Sequence, residues 1–298
     1  MLLVNIIIQA FTLAVTDALP SRVSPDKVFI AVKTTAKFHK SRLEPVLNTW
    51  YHTAPDATYF FTDAAADRQT ERLAASVSGR NPLIVTDCPS DHSRTSLSCK
   101  LEAEISQFLT PQHDNKDWFC HLDDDNYLNT PALLDMLARY PANQPWYLGK
   151  VSIPKQLEVL DRLQLPEKKT VKFWFATGGA GFCISRGLAE KMRPFVVDGQ
   201  FQELSNTIRL PDDVTMGYLM EILLEIPLTQ VSLFHSHLEP LRTIKDIKKQ
   251  ITFSYSKYED TSEDNVVEFE DDVSDNNLID NDPTRFYKIH CKLFNECF

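Results

Sequence analysis

The chain has 298 residues, 43% of them hydrophobic and 24% charged, which suits one large globular domain or two fused lobes. Its net charge of −10 excludes a general nucleic-acid binder, which needs a basic face, but leaves room for a local basic pocket around a phosphate ligand. Six cysteines (Cys88, Cys99, Cys120, Cys183, Cys291 and Cys297) form no CxxC, so neither a zinc ribbon nor a thioredoxin-like motif is supported.

In chain order, "MLLVNIIIQAFTLAV" is an apolar run broken by Asn5 and Gln9. It is short for a membrane span of roughly 20 residues and has no basic flank. Residues 1–18 therefore read as a secretory signal or a weak signal-anchor, with a first buried strand or helix as the bland alternative, and 19–26 as a short stem. The main domain is expected from 27 to 298. "KVFIAVKTT" reads as a β-branched strand, and "FHKSRLEPVLNTW" as a helix with Leu43, Val46, Leu47 and Trp50 on one face. "ATYFFTD" and "PLIVTD" read as strands, with a helix-like stretch over roughly 65–77 between them. "SRTSLSCKLEAEISQFL" reads as a helix, and "DWFCHL" as a strand running into Asp123, Asp124 and Asp125. "TPALLDMLARY" opens on Thr130 and Pro131, an N-cap and N1 pair, and "WYLGK" and "GAGFCIS" are further strands. Strands alternating with helices predict an α/β fold with a mainly parallel sheet, whose ligands sit beyond the carboxyl ends of the strands. Asp63 and the aspartate triplet both fall at such ends. Residues 258–282 are acidic and polar and read as a solvated, mobile insert, after which "RFYKIHCKLFNECF" regains the character of a docked segment.

Three adjacent carboxylates repel one another unless something neutralises them. At a strand end they suit a hard divalent cation with open positions for water and substrate phosphates, or else they form a solvated turn capping the next helix. In "FHSHLE", His235 and His237 share a face if the segment is a strand, and one of them could add a nitrogen ligand that biases the metal from Mg²⁺ toward Mn²⁺. In "RLPDDVTMGY", Asp212 or Asp213 is either a helix N-cap or a general base at a cleft. Gly178, Gly179 and Gly181 allow close backbone approach to a ligand or simply a tight turn, and do not form the dinucleotide-binding GxGxxG. Lys33, Arg42, Arg94 and Lys100 are candidate partners for a diphosphate.

Together, "VFIAVKTTAKFHKSRLEPVLNTW", "HSRTSLSCK", "WFCHLDDDNYLN", "FWFATGGAGFCISRGLA", "RLPDDVTMGY" and "LFHSHLE" resemble the Fringe family of Golgi β-1,3-N-acetylglucosaminyltransferases, which extend O-linked fucose on EGF-like repeats, notably of Notch receptors. The likeness spans about 27–256 and then 283–298, where the terminal "RFYKIHCKLFNECF" fits more loosely. It implies a single GT-A-type catalytic domain in the Golgi lumen as a type II membrane protein, with UDP-GlcNAc as donor, O-fucosylated EGF-like repeats as acceptor and Mn²⁺ as cofactor. It further implies Asp213 as catalytic base, Arg42 and Asp123 as donor contacts, and His237 with Asp124 or Asp125 as metal ligands. The pairings it implies are Cys88–Cys99, Cys120–Cys183 and Cys291–Cys297. The acidic insert at 258–282 and the short N-terminal run depart from the family pattern. A core-1-type β-1,3-galactosyltransferase and a non-catalytic homologue are the competing readings.

Overall fold

In the computed structural model the described residues are 22–167, 169–256, 264–269 and 282–297, and the anchor or signal expected at 1–18 lies outside them. Among the described residues no helix is long and apolar enough to cross a membrane.

The strands are β1 (Val28–Lys33), β2 (Thr58–Thr62), β3 (Leu83–Val85), β4 (Trp118–Asp123), β5 (Tyr127–Leu128), β6 (Tyr147–Gly149), β7 (Leu157–Leu160), β8 (Thr170–Phe173), β9 (Phe182–Ser185), β10 (Leu228–Gln230) and β11 (Thr252–Phe253). The helices are α1 (Glu44–Leu47), α2 (Arg68–Ser78), α3 (Arg94–Phe108), α4 (Thr130–Leu137), α5 (Arg186–Val196), α6 (Gln200–Ile208), α7 (Asp212–Tyr218) and α8 (Phe286–Phe294). Seven strands form one sheet in the order β10-β6-β9-β4-β1-β2-β3. Strand β1 is buried on both faces because it is apolar at every position before Lys33. Its period of two sends Val28, Ile30 and Val32 into one core and Phe29 and Ala31 into the other. The first core is closed by Leu43–Trp50, α4 and α8, and the second by α3, α5, α6 and α7. This is the expected α/β architecture, with one sheet serving both cores.

Sheet direction is mixed. Pairings β1–β2, β1–β4, β2–β3 and β6–β10 are parallel, whereas β9 runs antiparallel to both β4 and β6. The antiparallel strand brings its N-terminal turn to the edge where β1 and β4 end. Cys120 lies opposite Cys183 in that register, and all three implied disulfides are formed: Cys88–Cys99, Cys120–Cys183 and Cys291–Cys297.

Several local expectations are corrected. The helix expected over 38–50 is a 3₁₀ turn, a π turn over His39–Leu43 and then α1, because Pro45 has no N–H to close an α-turn onto residue 41. The cap of α4 is Asn129, whose side chain accepts from the Ala132 N–H, so Thr130 lies one residue inside the helix. Pro211, not Asp212 or Asp213, occupies the N-cap position of α7. The "FHSH" segment is irregular rather than a strand, so His235 and His237 need not share a face. Within the acidic insert, residues 264–269 are docked: Val266 and Val267 are buried and Asn265 pairs with Ser256. The solvated character expected of most of the rest of the insert falls outside the described residues.

Candidate active site

The parallel register sets Lys33, the last residue of β1, beside Asp123, the last of β4. Beyond these strand ends opens a cleft of about 770 Å³, lined by the aspartate triplet, Lys33, Arg42, Lys100, the Gly178–Gly179 turn, Asp212, Asp213 and His237. The chain thus brings together Asp123, Asp124, Asp125, Arg42, Asp213 and His237 from separate stretches of sequence.

The triplet is held by cations of the chain itself. Lys33 Nζ lies 3.2 Å from Asp123 Oδ1 and 2.9 Å from Asp212 Oδ2. Burial works against the Lys33 ammonium, but Asp123, Asp212 and Glu104 outweigh it and hold its pKa well above the ordinary value. Beneath Asp123 lies a buried pair not foreseen from sequence: His121 Nδ1 is 2.6 Å from Glu104 Oε2, and His121 Nε2 is 3.6 Å from Asp123 Oδ1. Burial opposes the imidazolium, yet Glu104 raises His121 to about 9. Burial likewise disfavours the charge on Asp123, but Lys33 and His121 hold that carboxyl far below its usual range. The signals were a His within a buried strand and Glu104 in line with Leu101, Ile105 and Phe108 on the buried face of α3.

Asp124 and Asp125 share Arg42, whose Nη1 is 3.1 Å from Asp124 Oδ1 and 3.2 Å from Asp125 Oδ2. The guanidinium stacks over Phe38, 4.0 Å from the ring centre. Asp124 Oδ2 also accepts from the Thr34 hydroxyl at 2.7 Å, so both its oxygens are engaged. Asp125 Oδ1 is buried without a hydrogen-bond partner among the described residues. Burial raises Asp124 to about 6, against Arg42 and Thr34, and burial with the charges of Asp123 and Asp124 raises Asp125 to about 8.

Opposite the triplet, the Gly178–Ala180 turn precedes β9. Gly181, at φ +83°, would clash with Leu122 and the His121 carbonyl if it carried a Cβ, which accounts for glycine there. A Cβ on Gly179 would lie 3.6 Å from His237 Cε1 and 4.0 Å from Asp123 Oδ2, so the two side chains flank this glycine. His237 Nδ1 is buried and has no hydrogen-bond partner among the described residues, and burial lowers the pKa of the ring. His235 turns away to Glu239, at 3.2 Å, and to Gln250. Asp213 Oδ2 accepts from the Gly178 N–H at 3.2 Å and Oδ1 from the Val214 N–H at 2.8 Å. Burial, reinforced by Asp212, raises Asp213 to about 6.

The other basic candidates divide. Lys100 pairs with Asp63 at 2.7 Å and donates to the Thr34 carbonyl at 2.9 Å, so Asp63 serves to fix the floor of the cleft. Arg94 points away, to the Ser205 carbonyl and Asn206 on α6. Among the described residues no three His, Cys, Asp or Glu side chains already converge as a metal cage. The orphaned Asp125 Oδ1 and His237 Nδ1 nevertheless fit an open divalent site, in which one or two protein ligands are completed by phosphate and water.

Sheet order and the acidic cleft at its carboxyl edge define an α/β protein with its site beyond the strand ends. A Fringe-like family model matches residues 23–297, and the chain belongs to that family. The β-1,3-N-acetylglucosaminyltransferase lunatic fringe of Danio rerio is 44% identical over 284 residues, covering 94% of this chain and 72% of that protein. The Fringe glycosyltransferase of Drosophila melanogaster is 44% identical over 272 residues, covering 90% of this chain and 62% of that one. Among solved structures, the galactosyltransferase LgtC with donor and acceptor sugar analogues aligns over 63% of this chain and 69% of its own at 14% identity and a TM-score of 0.37, too distant to carry weight.

Proposed function

We propose that this protein transfers N-acetylglucosamine from UDP-GlcNAc to the 3-hydroxyl of O-linked fucose on EGF-like repeats of the Notch type, with inversion and with Mn²⁺ as cofactor. The observation that carries the reading is Asp213. It is a carboxylate held only by backbone N–H groups, with a pKa raised to about 6, in the same cleft as the partly unpaired acidic triplet and His237. The β-1,3-N-acetylglucosaminyltransferase activity in the name of the Danio relative supports the choice of donor.

In-line transfer needs a base on the acceptor side and charge stabilisation on the leaving side. Asp213 takes the proton from the fucose hydroxyl, and a pKa near 6 leaves it ionised at neutral pH yet basic enough to accept a proton. The Gly178 and Val214 N–H groups aim its oxygens. Asp125 Oδ1 and His237 Nδ1 are the ligands assigned to the cation, because Asp124 is committed to Thr34 and Arg42. When bound, the cation neutralises the charge that builds on the departing diphosphate. Arg42 uses one nitrogen on the carboxylates, leaving most of its fork for a phosphate. Asp123, locked by Lys33 and His121, is a fixed acceptor for a donor hydroxyl. Three disulfides suit the oxidising secretory pathway, and the Golgi lumen is the compartment this reading assigns.

The test incubates the purified protein with an O-fucosylated EGF repeat, UDP-GlcNAc and Mn²⁺. A mass gain of one N-acetylhexosamine is expected. A gain of one hexose with UDP-galactose instead would turn the reading toward a galactosyltransferase, and no UDP release with either donor would leave a non-catalytic homologue.

A further inference from the structure

The loop that carries His237 has no regular secondary structure to hold it. One side chain from the acidic stretch ties its backbone at three points. Asn265 Nδ2 donates to the carbonyls of His237 and Glu239, each at 2.8 Å, and its Oδ1 accepts from the Leu241 N–H at 3.0 Å. Both donors and the acceptor of this amide are therefore spent on the backbone of residues 237–241. Asn265 is itself fixed twice. Its backbone exchanges hydrogen bonds with Ser256, both at 3.0 Å, and the adjoining Val266 and Val267 are 8% and 1% exposed in the core. The flanking Asp264 and Glu268 are exposed, so the buried part of this stretch is Val266 and Val267, with Asn265 half-buried beside them.

We propose that Asn265 is a positioning residue for His237: its amide sets the place of the His237 backbone and thereby aims the unpartnered Nδ1 at the cation. The role rests on the reading of the cleft as a metal-dependent transferase site. Because one bond goes to the carbonyl of His237 itself, a displaced amide moves the ligand's own Cα rather than a remote part of the loop. Only an amide satisfies all three partners. An aspartate keeps the acceptor for Leu241 but turns a second acceptor toward two carbonyls. Such outer partners of a ligand typically change metal affinity by roughly 10- to 100-fold.

The test measures Mn²⁺ uptake in the presence of UDP by electron paramagnetic resonance of the free ion, on the wild-type protein, N265D and V267A. N265D is expected to weaken Mn²⁺ binding roughly tenfold. V267A removes packing from the same segment without touching the amide, and is expected to lower the melting temperature while leaving Mn²⁺ affinity unchanged. The proposal is overturned if N265D binds Mn²⁺ as the wild type does, or if V267A weakens binding equally, since the effect would then belong to docking of the segment. If the wild-type protein takes up no Mn²⁺ with UDP, the metal reading of the cleft itself fails, and the role of Asn265 falls with it.

Discussion

The two walls of the cleft treat charge in opposite ways. On the sheet wall charged groups meet opposite charges at close range: Lys33 with Asp123 and Asp212, His121 with Glu104, Arg42 with Asp124 and Asp125. On the loop wall, among the described residues, Asp213 is held by backbone N–H groups and His237 Nδ1 has no hydrogen-bond partner. Fixed ion pairs suit the recognition of a charged ligand, because they reorganise little on binding. Groups with raised or lowered pKa and open valence suit proton transfer and ligation. The contrast between the walls predicts which substitutions strike chemistry and which strike the fold.

The sharpest break between them is Asp213→Asn. Turnover should fall by on the order of 10³-fold or more, while UDP-GlcNAc affinity, measured by calorimetry, stays as it is. The folded protein holds the Asp213 proton more tightly than the unfolded chain does, so ionisation of this group disfavours folding once pH exceeds the unfolded value. Replacing it removes that penalty but turns an amide NH2 toward one of the two backbone N–H donors, so the two effects oppose and the melting temperature at pH 7 should change little. Near-normal turnover would remove Asp213 as the base, and a large loss of stability would erase the distinction between the walls.

The corresponding change on the sheet wall is Lys33→Met. It strips Asp212 of its cation and leaves Asp123 with His121 alone, in a site where the Lys33 side chain is only 10% exposed. Breaking a buried pair this way costs about 3–5 kcal/mol, so urea unfolding should shift markedly and donor binding should weaken with it. An unchanged unfolding midpoint would mean that the pair contributes nothing to the fold.

The walls also differ in how much of them sequence reveals. The triplet was legible because a continuous apolar run, Trp118 to Leu122, must be a buried strand, and the residues just after such a strand reach the sheet edge. Asp213 and His237 had equally good structural alternatives in their own segments, and their roles came from the family likeness. The His121–Glu104 pair was missed since it joins a strand to a helix by burial, and neither residue breaks its local pattern. The direction of β9 was hidden because alternation is the same in parallel and antiparallel strands, yet that direction is what brings the glycine turn into the cleft. Asn265 was concealed by its acidic neighbours, whose composition pointed to solvent although two valines beside it pack into the core.

A gentler probe of the loop wall is pH. With Mn²⁺ and both substrates saturating, kcat should require ionised Asp213 and fall on the acid side with a midpoint near 6. At pH 5 it should be roughly tenfold below its plateau. Saturating metal is needed because Asp124 and Asp125, raised to about 6 and about 8 by burial, also take up protons in its absence. A kcat that stays flat down to pH 5 would assign the base to another group.

The smallest effect is expected at Arg94, which shares its charge and its half of the chain with Arg42 but faces neither wall. Its Nη1 donates to the Ser205 carbonyl at 2.6 Å and to Asn206 Oδ1 at 3.0 Å, which fastens the start of α3 to α6. Arg94→Met should therefore cost about 1 kcal/mol of stability, the loss of one or two hydrogen bonds to neutral partners, and leave the KM for UDP-GlcNAc untouched. Arg42→Met, which strips the cation from Asp124 and Asp125, should raise that KM. Basic residues read as equivalent in a sequence are thus separated by which surface of the sheet they end on: if Arg94→Met weakens the donor as much as Arg42→Met does, the cleft extends past α3, and the division of charge between its walls must be redrawn to include it.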